Sequence, residues 1–405
     1  IAITGGSGGD TVVASDAAHV WYLTAAGTGE LHTGTTGRAT FTGVTSLFGG
    51  ADDDSYHFAA GNLGGFYIDD AGGVDTINFS ARGAAVAFDL SDSDEQKVDP
   101  TTGNPLTLTL AAVNMIDNVI GTVYADTLTG NELDNRLEGF GGNDHLIGGY
   151  GDDTYVFANG FGMPTITEGD REQGVDTIDF TAVTADVTVT KLEDGTFTLE
   201  TDGSAANRFV FTNIEKVLGG TGVNSLDFSA AKAGVFVDLA GGFATDFAVV
   251  SGFRNVTGSA FSDTLIGDDK ANRLSGLGGD DTLTGNGGDD SIDGGAGRNW
   301  LVESRDVNFT LTTSRLEVTG SGITGTESDT LSGIVFASLT GGMSDNVIDA
   351  RGFAAVSVTA ASSLASLNGG AGVNVLANDL MITLTDGTSV RVNLSNATTV
   401  QNVLD

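Results

Sequence analysis

A nine-residue word, repeated in tandem, limits this chain more than any other feature. Residues 121–156 divide into GTVYADTLT, GNELDNRLE, GFGGNDHLI and GGYGDDTYV. Residues 258–302 divide into GSAFSDTLI, GDDKANRLS, GLGGDDTLT, GNGGDDSID and GGAGRNWLV. Every word starts with Gly, carries Asp or Asn at its sixth place and has an apolar or aromatic residue at its eighth. A fixed short period of this kind specifies stacked identical units rather than one compact core.

Each place has a physical role. The Gly-rich half permits positive φ and a tight turn whose carbonyls can face a cation. The sixth-place carboxylate supplies a hard oxygen ligand. The eighth residue sits on a short strand and points inward, while its neighbours point out. Two words make one coil of 18 residues, a strand and a turn on each side. Coils stacked at the strand spacing of about 4.8 Å build a ladder of turns along each edge. A calcium ion between adjacent turns can take carboxylate and carbonyl oxygens from both.

That spacing names candidate ligands. Sixth-place residues 18 apart share an edge: Asp126 with Asp144 and Asn135 with Asp153, then Asp263 with Asp281, Asn272 with Asp290 and Asp281 with Asn299. Carbonyls of turn glycines such as Gly139, Gly148, Gly276 and Gly285 are expected to complete the shells. Where Asn replaces Asp, at 135, 272 and 299, the site carries less negative charge and is expected to be weaker.

The charge balance fits this reading. The chain has 54 acidic against 17 basic residues, a net charge of −37. Such a surface repels itself unless counterions neutralise it. It also excludes nucleic acid as a partner, because phosphate binding needs clusters of Lys and Arg. No apolar run approaches the roughly 18 residues of a membrane helix, so membrane insertion is not expected. With no cysteine, disulfides and thiolate zinc sites are excluded.

The two blocks resemble the RTX family, the nonapeptide-repeat proteins of bacterial type I secretion. The resemblance implies an all-β fold, a right-handed parallel β-solenoid or β-roll, with Ca2+ held between turns. It also implies an extracellular or cell-surface location.

Outside the blocks the pattern loosens. An apolar–x–x–apolar–x–Gly phrase recurs at Val44-Leu47-Gly49, Ile116-Val119-Gly121, Ile214-Val217-Gly219, Phe253-Val256-Gly258 and Phe336-Leu339-Gly341, each leading into a turn of the same phase. A second phrase recurs as VDTINFSA (74–81), VDTIDFTA (175–182) and VNSLDFSA (223–230). Alternating segments such as VAFDL (86–90) read as strands. The expected organisation is irregular coils over 1–120, a regular block at 121–156, irregular coils and hairpins over 157–257, a second block at 258–302 and irregular coils over 303–377. Residues 91–105 read as a polar loop leaving the stack, and 163–173 and 191–208 as further loops or hairpins. Residues 378–405 read as a hairpin turning at Asp386-Gly387, then a helix starting near Thr398. That ending resembles the small hook-IN motif of flagellar hook-associated proteins, and the chain is expected to be a piece of a longer protein.

Other motifs resolve into the same pattern. Gly5-Gly6-Ser7-Gly8-Gly9 spells the G-x-S-x-G elbow of hydrolases but lacks its strand–turn–helix setting, and it reads as one more turn ending at Asp10. The histidines at 19, 32, 57 and 145 form no H-E-x-x-H zinc motif. Asp52-Asp53-Asp54 lacks the twelfth-place Glu of an EF-hand. The chain is therefore expected not to be an enzyme. It reads as a calcium-binding structural segment of a secreted bacterial adhesin, S-layer or matrix component, with cell-surface or matrix components or self-association as conceivable contacts. The alternative is an accessory module of a secreted protease, lipase or polysaccharide-modifying enzyme.

Overall fold

The computed structural model describes residues 1–353, apart from positions 7, 36, 100–105, 169–173, 202–203, 321 and 324, and also 380–383 and 389–392. Among these residues the chain is all β, with no helix. The turn at Asp386-Gly387 and the helix near Thr398 lie outside the described residues. The C-terminal strands Leu380–Thr383 and Ser389–Val392 do pair antiparallel, as the hairpin reading requires.

The eighth-place residues set the architecture. Three-residue strands centred on them pair in parallel, in register, with the strand 18 residues on: Leu265 with Leu283 with Leu301 on one side, and Leu274 with Ile292 on the other. In the first block Leu128 lies over Leu146, and Leu137 over Tyr155. All of these side chains are buried. The period-2 alternation thus places one apolar rung per strand inside and leaves its neighbours half-buried or exposed.

Each block lies within longer sheets. One twelve-stranded sheet contains Asn118–Ile120, Arg136–Glu138 and Thr154–Ala158 of the first block, and runs on to Thr177–Ala182, Lys216–Leu218 and Val249–Ser251. An eleven-stranded sheet carries Asn224–Asp227 and Phe253–Thr257 into the second block and out to Glu327–Ser332. The regular blocks are changes in coil regularity, not breaks in the stack. Leu301 is accordingly no edge residue: its strand, Asn299–Ser304, pairs onward with Ile334–Thr340.

Two departures from the sequence reading have clear causes. The N-terminal strands His19–Ala25, Thr28–Thr33 and Gly37–Thr42 form an antiparallel meander, because the connections are too short for a parallel crossover. Residues 91–105 are not wholly loop, since Gln96–Lys97 pairs with Thr107–Leu110. The hairpin reading of 191–208 stands, with Val187–Lys191, Phe197–Thr201 and Ser204–Phe211 pairing antiparallel. The irregular coils are filled by aromatics. Phe157 stacks on Phe180 at 5.0 Å, and Phe197 packs on Phe247 at 4.7 Å.

Candidate metal centre

In the five words that start at Gly139, Gly148, Gly276, Gly285 and Gly294 the turn is shaped by positive φ at the second and fourth places. Fourth-place glycines 142, 151, 279, 288 and 297 have φ between 104° and 131°. The need for Gly is steric as well as torsional: a Cβ on Gly279 would overlap the backbone of Phe261 and Ser262 in the preceding coil. At the second place Phe140, Leu277 and Asn286 adopt left-handed values of 64–65°.

This backbone delivers each sixth-place side chain into the edge of the roll, where all nine are buried. One oxygen is used for stacking. Oδ1 of Asp144 accepts the Asp126 N–H at 2.9 Å, and Oδ1 of Asp153 accepts the Asn135 N–H at 2.7 Å. In the second block Asp281 accepts from Asp263 (2.9 Å), Asp290 from Asn272 (2.8 Å) and Asn299 from Asp281 (2.9 Å). All five pairs expected from the 18-residue spacing are therefore neighbours. They differ from a simple face-to-face arrangement in that one carboxylate oxygen of the pair is committed to a backbone rung.

The other oxygen differs along the column: Asp126 Oδ2 accepts the Thr122 N–H and Asp263 Oδ2 the Ser259 N–H, at 2.5 and 2.6 Å, whereas at Asp281 and Asp290 it can face a ligand. Oδ2 of Asp281 and of Asp290 are buried with no hydrogen-bond partner. A buried, unpaired carboxylate oxygen carries a large desolvation penalty. First-place glycines make the room: a Cβ on Gly276 or Gly285 would overlap Asp281 or Asp290 Oδ2, and one on Gly139 would overlap Asp144. Carbonyls converge on the same positions. Gly276 O, Gly285 O and Gly148 O approach the Cβ sites of Gly258, Gly267 and Gly130 in the preceding coils. Carboxylate plus carbonyl oxygens in a tight turn match the hard-ligand preference of Ca2+. Asp126, Asp144, Asp153, Asp263, Asp281 and Asp290, with those carbonyls, would hold the ion and be neutralised by it.

The electrostatics show the same demand for positive charge. Burial foremost, then the neighbouring acids Asp329, Glu303 and Glu327, pushes Asp290 up to about 8. Burial and Asp126 push Asp144 to about 7. Burial, with Asp263 and Asp280, raises Asp281 to about 6. The Asn positions differ. Asn272 Nδ2 donates to Arg254 O and Asp268 Oδ1, and Asn299 Nδ2 to Gly333 O. Asn135 Nδ2 donates to Asp117 O. An amide brings its own donor to carbonyls that a carboxylate leaves for a cation, which gives the lower charge at 135, 272 and 299 a structural basis.

The columns extend beyond the residues read from the repeat. Asp54 N–H donates to Asp75, Asp75 N–H to Asp117, Asp153 N–H to Asp176 and Asp176 N–H to Glu215. After the second block Asp290 N–H donates to Asp329, 39 residues on. Glu303 enters the same edge, accepting the Gly285 N–H while its Oε2 stays buried and unpaired. Asp329 lies in an SDTL phrase like that of Asp263, a usable signal. Glu303 has none.

Fold and site together define a parallel β-solenoid whose turn columns present buried oxygen ligands to divalent cations. The family model of the RTX calcium-binding nonapeptide repeat (four copies) matches residues 120–155, 257–292 and 266–301, which are the two regular blocks. Those two segments carry RTX calcium-binding nonapeptide repeats, and this repeat family binds calcium and is typical of bacterial proteins secreted by type I systems. No curated protein matches the chain.

Proposed function

We propose that this chain is a calcium-stabilised structural segment of a secreted bacterial surface protein, and that it carries no catalytic activity of its own. One observation supports this above others: stacked turns bury carboxylates whose second oxygens, at Asp281 and Asp290, have no partner but a cation could satisfy them. In calcium-poor cytosol those charges repel and hold the columns open for export. Outside, millimolar calcium binds the folded state only and stabilises it, by about 2.7 kcal/mol per site when calcium is a hundredfold above its Kd.

Hydrogen exchange followed by mass spectrometry, in 5 mM calcium and in chelator, tests the proposal. Amides of 258–302 should be protected in calcium and exchange rapidly without it. The aromatic coils around Phe157, Phe180 and Phe209 should keep more protection, since their burial needs no metal. Equal protection of 258–302 in both conditions would refute calcium-coupled folding.

A further inference from the structure

Ahead of the first regular block, three acids from different turns meet. One oxygen each from Asp54, Asp70 and Asp75 lie within 4.8 Å of one another. Asp54 is the sixth place of GGADDDSYH. Asp75 holds the same place one coil on, and its Oδ1 accepts the Asp54 N–H at 2.7 Å. Asp70 stands where a regular word has its first Gly, so it adds a side-chain carboxylate at that place. We propose that Asp54, Asp70 and Asp75 form a separate calcium site, of a three-carboxylate type distinct from the carbonyl-rich sites of the regular blocks.

Four features carry it. First, Asp75 is wholly buried and its Oδ2 has no hydrogen-bond partner, so the cluster contains an oxygen that only a cation or a proton can satisfy. Second, Asp70 is held in place: the Tyr56 hydroxyl donates to its Oδ2 at 2.7 Å, and its Oδ1 accepts the Gly72 N–H at 3.3 Å. Third, the space is kept open by Gly49, where a Cβ would overlap Asp70 Oδ2, Asp54 Oδ2 and the Tyr56 hydroxyl. Fourth, the size suits the ion. Three oxygens within 4.8 Å of one another always leave a point within about 2.8 Å of all three, close to the roughly 2.3–2.6 Å of a calcium–oxygen bond. Asp54 is also oriented by the backbone N–H groups of His19 and Gly50 and by the His19 imidazole, whose Nδ1 lies 3.2 Å from Asp54 Oδ1.

The arrangement occurs twice. Asp153, Glu168 and Asp176 form the other three-acid group of this kind among the described residues. There the Tyr155 hydroxyl donates to Glu168, and a Cβ on Gly148 would overlap Asp153, Glu168 and the Tyr155 hydroxyl. The sequences correspond: Gly49, Asp54, Tyr56 and the VDTI of Asp75 match Gly148, Asp153, Tyr155 and the VDTI of Asp176. Two coils of unlike length reach one geometry.

Trp21 reports on the site, because its ring stacks on Tyr56 at 5.8 Å and can pass excitation to a bound lanthanide. The test uses the full chain with calcium and terbium as probes. Bound calcium at saturation is counted by equilibrium dialysis for wild type, Asp70→Asn and Asp75→Asn, and terbium emission is recorded on tryptophan excitation. Each variant should bind one calcium fewer than wild type and lose the share of terbium emission that Trp21→Phe also removes. Asp75→Asn should in addition melt higher than wild type in chelator, since it deletes an unpaired buried charge while keeping the acceptor for the Asp54 N–H. Wild-type stoichiometry and emission in both variants would overturn the proposal. A wild-type chain that binds no calcium at all would instead overturn the reading of the repeat blocks.

Discussion

Leu283→Ala tests the in–out phase on which the whole fold rests. Leu283 is wholly buried, in parallel register between Leu265 and Leu301, which are also wholly buried. Large-to-small core changes cost about 2–5 kcal/mol, the higher values where the surroundings cannot collapse. Here the strands above and below are fixed by ladder hydrogen bonds, so the cavity persists and about 3–5 kcal/mol is expected. Thr282, next in the chain, is half-buried beside Thr264 and Trp300 on the outer face. Its change to Ala should stay within about 0.5 kcal/mol. The assay is a calcium-saturated melting curve for each variant beside wild type. Because each coil contacts only its neighbours, the Leu283 change should also lower the exchange protection of Leu265 and Leu301. Equal effects of Leu283→Ala and Thr282→Ala would show that the assigned faces are wrong, and the solenoid with them.

Other expectations follow from the columns. Burial holds Asp290 and Asp75 near 8 and Asp144 near 7 without metal. A carboxyl raised above its unfolded value of about 4 favours the folded state below that value and loses the advantage as pH climbs to its folded value. The calcium-free protein should therefore melt higher at pH 5 than at pH 8, and calcium should bind more weakly at pH 5 than at pH 8; pH-independent melting and affinity would contradict this. Asn272→Asp removes two amide donations and adds a buried charge, so it should destabilise the chelated protein by about 1–3 kcal/mol, with calcium restoring most of the loss on melting. Gly279→Ala forces a Cβ against the Phe261 backbone at φ 115°, so its melting temperature should drop sharply in calcium, whereas Ala at the exposed Arg273 should leave it nearly unchanged.

What the sequence shows well is whatever keeps a fixed spacing. The pairs Asp126–Asp144 and Asp263–Asp281 are 18 apart in sequence and one coil apart in space, so the repeat itself gives their register. Apart from the SDTL phrase of Asp329, the columns' continuations are hard to read for the opposite reason. Asp75 meets Asp117 across 42 residues and Asp290 meets Asp329 across 39, because loops and hairpins such as Asn308–Thr312 with Arg315–Thr319 intervene. An inserted hairpin shifts sequence distance without shifting the coil. The three-acid group was hidden differently. Asp70 occupies a place that the repeat grammar assigns to Gly, and only the fold shows it turned toward Asp54. The use of Oδ1 for stacking was also invisible, since spacing fixes which residues are neighbours but not which atoms meet.

Diffraction from crystals grown in millimolar calcium, recorded at a long wavelength where calcium scatters anomalously, addresses the central claim most directly. An anomalous peak is predicted between the turns of Asp263 and Asp281, within about 2.3–2.6 Å of carboxylate and Gly276 carbonyl oxygens. The same turns stacked in place, with no peak between them, would contradict the account.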